Sequence, residues 1–121
     1  MPSKSLPKQL AFSIIALCAL ASCGPPSREQ ARDMATTRSC DWYASCGEIG
    51  SGKRYETRDA CEVDVRSSWN NLWPTADCNG KIDGDALDVC LKAIDITDCA
   101  NGFDFFNTVF NKCGKDKVCP G

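Results

Sequence analysis

The chain has 121 residues, with 10 cysteines, no histidine, and 14 basic against 16 acidic side chains for a formal net charge of −2. That length holds one domain at most. Mild acidity argues against nucleic acid or anionic lipid headgroups as partners, and the missing histidine removes the commonest general base and a principal zinc ligand.

The N-terminal stretch carries Lys4 and Lys8 and no acid before an apolar run, Leu10 to Ala21, LAFSIIALCALA. A membrane-spanning helix needs roughly 20 apolar residues, so this run is too short to span. A positive start, a short apolar core and small residues at its end predict a secretion signal over residues 1–22. Cys23 follows Leu20-Ala21-Ser22, an aliphatic residue and two small ones, which resembles the lipobox at which bacterial lipoproteins are cleaved and lipidated. Cys18 follows the bulky Leu17 and lacks that pattern. Lipidation is therefore expected at Cys23, with several acyl chains giving stable anchoring where one is marginal. Residues 23–27, with Gly24-Pro25-Pro26, form a short tether that cannot be helical.

Residues 28–121 read as one cysteine-rich helical domain. Ser27 begins S-R-E-Q, a capping box, and Ala31, Met34, Ala35, Trp42 and Cys46 follow at helical spacing until Gly47. Ser39 and Cys40 interrupt that apolar face. Thr57 opens a second helix with Cys61, Val65, Trp69 and Leu72 on one side, ending at Trp73-Pro74. Asp83 caps a third, whose face is Leu87, Cys90, Leu91 and Ile94. A fourth is predicted from about Asp104, with Phe106, Val109, Phe110 and Cys113 at i, i+3, i+4 and i+7, closed by Gly114. No stretch alternates long enough for a strand. The expected class is all-α, a small disulfide-stapled bundle of about four short helices.

With Cys18 in the signal and Cys23 lipidated, the cysteines remaining are Cys40, Cys46, Cys61, Cys78, Cys90, Cys99, Cys113 and Cys119. An even set in an exported chain reads as a disulfide framework. Zinc is disfavoured because no C-x-x-C pair occurs. Cys40 and Cys46 lie six apart on one helix, a rise of about 9 Å, beyond the roughly 7 Å limit for bridged Cα atoms. Cys46 with Cys61, across the loop, is the favoured single pairing. A local Cys113–Cys119 bridge stays open because Gly114 separates them.

Four features invite a functional reading. Gly47 to Arg54, GEIGSGKR, falls one residue short of the phosphate-loop pattern. Such a loop needs a buried strand before it and a helix starting at the lysine; here a helix precedes it, Arg54 replaces the hydroxyl, and a glycine-rich connector is expected instead. Asp77 to Ala86 partly matches a calcium loop, with Asp77, Asn79 and Asp83 as ligands and Asp88 available after rearrangement. The first position would be Thr75 and the twelfth Ala86, so two strong oxygen ligands are lost. Asp83, Asp85 and Asp88 suggest a carboxylate pair, but without histidine or a buried setting a solvated helix start is the expected reading. Of the tryptophans, Trp69 sits on a core face, whereas Trp73 beside Pro74 is the candidate ligand-stacking platform.

The LASC lipobox, SCDWYASCGEIGSGKRYETRDAC, DCNGKIDGDALDVCLKAI and CGKDKVC together resemble small cysteine-rich bacterial lipoproteins of unknown function, some labelled natural product biosynthesis lipoproteins. The resemblance carries over no catalytic residue. It implies an envelope protein held by the lipid on Cys23. Gly24, standing where many retained lipoproteins have aspartate, implies the outer membrane, facing the periplasm or the surface. The expectation is a non-enzymatic interaction or structural domain without cofactor, nucleotide or nucleic acid, its protein partner unnamed by the sequence. Two alternatives stand beside it: a small-ligand or calcium-binding module built on Asp77–Asp88 and Trp73, and an envelope hydrolase or redox protein with one labile bridge.

Overall fold

A computed structural model describes residues 24–100, 109 and 111–121. Its helices in chain order are α1 (Arg28–Ser45), α2 (Arg58–Leu72), α3 (Thr75–Cys78), α4 (Gly84–Asp95) and α5 (Lys115–Val118). The fold is all-α and stapled by four disulfides. The predicted signal segment and Cys23 lie outside the described residues, as does most of the fourth predicted helix; of that helix Val109, Asn111 and Lys112 are helical.

The three longer helices begin where local chemistry satisfies their free amides. Ser27 Oγ accepts from the Gln30 amide at 3.1 Å, and Gln30 Oε1 accepts from the Ser27 amide at 2.9 Å, completing a capping box. Thr57 Oγ1 accepts from the Ala60 amide at 3.1 Å, and Asp83 Oδ1 from the Ala86 amide at 3.0 Å. Helix α1 runs unbroken through Ser39 and Cys40. Thr36 Oγ1 donates to the Arg32 carbonyl at 2.8 Å and Ser39 Oγ to the Ala35 carbonyl at 2.7 Å, so both hydroxyls are buried with a partner.

Helix α1 packs against both α2 and α4, and α4 against α5. The core they enclose includes Ala31, Ala35, Val65, Trp69, Leu87, Leu91 and Ile94, with a fully buried Trp73. Trp73 Nε1 donates to the Cys113 carbonyl at 2.8 Å, and the Trp69 and Trp73 ring centroids are 4.7 Å apart. Arg28, 6% exposed, donates from Nε to the Trp73 carbonyl at 2.8 Å and from a terminal nitrogen to the Asn70 carbonyl at 3.2 Å. A cation from the first residue of α1 thus neutralises the free carbonyls at the end of α2, where the helix dipole favours positive charge.

The bridges are Cys40–Cys61, Cys46–Cys99, Cys78–Cys119 and Cys90–Cys113, with Cα separations of 6.0, 5.3, 5.1 and 4.8 Å. This corrects the favoured Cys46–Cys61 pairing. The connector folds back on itself through Ile49 and Tyr55, so α2 returns alongside α1 with Cys61 level with Cys40. Six residues beyond Cys40, roughly 240° further round the helix, Cys46 meets the segment after α4 instead. No local Cys113–Cys119 bridge forms: the two cysteines bind α4 and α3 respectively.

Candidate cleft between the two long helices

The glycine connector spends its own amides. Gly50 N donates to the Tyr55 carbonyl at 2.8 Å, Lys53 N to the Gly50 carbonyl at 3.0 Å and Tyr55 N to the Glu48 carbonyl at 3.1 Å. Gly47 and Gly52 take φ of 73° and 76°, the left-handed region that other residues avoid. Lys53 therefore heads no phosphate-binding helix. What the turn does is carry Arg54 and Tyr55 back over the α1–α2 seam.

There they help form a cleft of about 170 Å³. Val65, Trp69 and Leu72 line it from α2, and Ser39 and Tyr43 from α1. Ser39 is satisfied on both sides, since its Oγ also accepts from Trp69 Nε1 at 3.2 Å. The Tyr43 and Tyr55 rings meet edge to face at 5.3 Å, and the Arg54 guanidinium lies 5.4 Å from the Tyr43 ring centroid. At the mouth, Tyr55 OH donates to Asp64 Oδ2 at 2.5 Å. Burial first, and then this bond to a carboxylate, pushes the Tyr55 phenol far above its ordinary value, so it remains a donor. Burial likewise raises Tyr43, partly offset by the nearby Arg54 charge. Arg54 is itself paired with Glu48 at 3.5 Å.

The calcium-loop residues go elsewhere. Asp77 Oδ2 accepts from Lys115 Nζ at 3.1 Å, Asp83 caps α4, Asp88 pairs with Lys92 at 3.6 Å, and Asn79 ends α3. Among the described residues, no three His, Cys, Asp or Glu side chains gather as a metal site. Asp85 is exposed in the first turn of α4 beside the Asp83 cap, a helix-start role. Trp73 cannot be a stacking platform, because it is wholly buried with its indole nitrogen bonded to the Cys113 carbonyl. The cleft residues Tyr43, Tyr55 and Asp64 were not singled out from the sequence. Their one available signal was two tyrosines bordering the glycine connector.

Fold and cleft define a small disulfide-stapled helical domain with an aromatic, partly charged groove. The chain matches a family of unknown function, DUF6184, over residues 40–121, and belongs to it. The match begins at the first bridged cysteine and extends past the last. No curated protein and no solved structure matches the chain. Among the described residues, no helix is long and apolar enough to cross a membrane.

Proposed function

We propose that this chain is a lipid-anchored envelope protein whose disulfide-rich domain is a non-enzymatic interaction module. The observation that carries the reading is that all eight cysteines from Cys40 to Cys119 are joined to one another. Such a framework suits an oxidising compartment; the choice of Cys23 as the acylated residue is supported by the lipobox pattern before it. The fixing of Arg28 five residues later supports a short, defined tether rather than a long linker. Gly24 favours the outer membrane. An association with natural product biosynthesis draws its support from the sequence resemblance alone. Of the acids considered for catalysis, Asp83 and Asp85 serve the start of α4 and Asp88 pairs with Lys92, which favours interaction over hydrolysis.

The test is Cys23→Ser in cells fed an alkyne fatty acid. The label is expected to disappear and the protein to leave the membrane fraction. Undiminished labelling of the variant would reject the anchor.

A further inference from the structure

The cleft has a direction. Its floor runs along α2 from Asp64 to Leu72, roughly 12 Å at the helical rise. Asp64 stands at one end of this line with the Tyr55 hydroxyl bonded to it, and Leu72 at the other; Arg54 and Val109 also line the cleft. A cavity of about 150 Å³ is enough to take a benzene-sized ring, and this one is slightly larger. Its walls are pre-formed, because the Cys40–Cys61 bridge ties α1 to α2 within the same pair of helices.

The charges lining the cleft are not equivalent. Arg54 is held between Glu48 and the face of Tyr43. Among the described residues the Asp64 carboxylate receives one hydrogen bond, from Tyr55, and forms no ion pair with a basic side chain. A carboxylate accepts several hydrogen bonds, so capacity remains on Asp64 for a donor inside the cleft.

We propose that this groove is a binding site for a small organic amine with a ring-sized apolar body, its protonated nitrogen on Asp64 and its body over Val65, Trp69 and Leu72. Tyr55 fixes the carboxylate rather than the ligand: its hydroxyl stays protonated and holds Asp64 at the cleft mouth. The site is independent of whether Cys23 is acylated.

The experiment titrates the full-length protein with 2-phenylethylamine, 2-phenylethanol and 3-phenylpropanoate, following backbone amide and indole NMR signals. The amine is expected to shift Val65, Trp69 and Leu72 and to bind about tenfold more tightly than the alcohol. Asp64→Asn, at an exposed position that leaves the fold intact, should erase that preference while retaining weak binding of both. Leu72→Trp should fill the apolar end and block all three. Absence of shifts at these residues, equal affinity for acid and amine, or an unchanged preference in Asp64→Asn would each overturn the proposal.

Discussion

The α1–α2 pair and the C-terminal region around α3 and α5 are built on opposite principles. Helices α1 and α2 have 18 and 15 residues, side-chain caps at both N-termini, and ion pairs across their shared surface such as Arg58–Asp41 at 2.7 Å and Arg66–Asp33 at 3.3 Å. Helices α3 and α5 have four residues each and no capping side chain. Isolated helices of that length do not persist in water. What holds them is the Cys78–Cys119 bridge, the Lys115–Asp77 pair and the bond from Asp83 N to the Val118 carbonyl at 2.8 Å. Long helices can be specified by their own residues, whereas short ones are imposed by distant partners. Most of the cleft lining comes from the first kind, held by the Cys40–Cys61 bridge, with Val109 added from the C-terminal segment.

The largest effect should come from breaking the imposed half. Replacing Cys78 and Cys119 together by serine opens a closure of 41 residues, with an expected loss of about 4 kcal/mol on chain-entropy grounds. Urea unfolding would give the magnitude, and amide hydrogen exchange its location. Protection at α5 should vanish while α1 and α2 stay protected. Uniform loss over all helices would mean that the two halves are one cooperative unit, and the comparison would fall.

Arg28 is where the two halves touch, because it joins the start of α1 to the turn that leads from α2 to α3. Arg28→Met keeps much of the apolar stem and removes both bonds from a buried cation, leaving two carbonyls to find other donors. Bonds to charged groups are worth about 1.5–3 kcal/mol each in net terms, and relaxation toward water should bring the cost of this change to about 2 kcal/mol. The melting temperature measures it. An unchanged value would show that the α2 terminus is satisfied without the arginine.

Legibility in the sequence followed the same division. Ser27, Thr57 and Asp83 each announced a helix start, because a cap is a local event within three residues. The glycine connector was legible as a turn for the same reason. Trp73 was misread because its burial depends on Cys113, 40 residues away, and no neighbour in sequence reports that. The Cys46–Cys61 pairing failed because proximity along the chain ignores how the connector sets the level of α2 against α1. Nothing in the sequence marks Asp64 out, because its partner Tyr55, nine residues back along the chain, reaches it only once the connector has folded. Helix α3 lay under a calcium-loop reading, and its four residues carry too little periodicity to compete.

The smallest effect tests the self-specified half directly. In Thr57→Ala the Ala60 amide loses its acceptor, and removal of such a cap costs about 1 kcal/mol. Cys61 is the fourth residue of α2, so fraying at this end reaches the Cys40–Cys61 bridge. The bridge should limit the loss to the first turn, and exchange at Val65 and Trp69 should stay slow, since both side chains are buried against α1. Combining the substitution with serine at Cys40 and Cys61 should then cost more than the sum of the two changes, because neither cap nor bridge would define where α2 begins. Strict additivity, measured by denaturant unfolding, would show that cap and bridge act on α2 independently. The cleft floor would then owe its position to core packing alone.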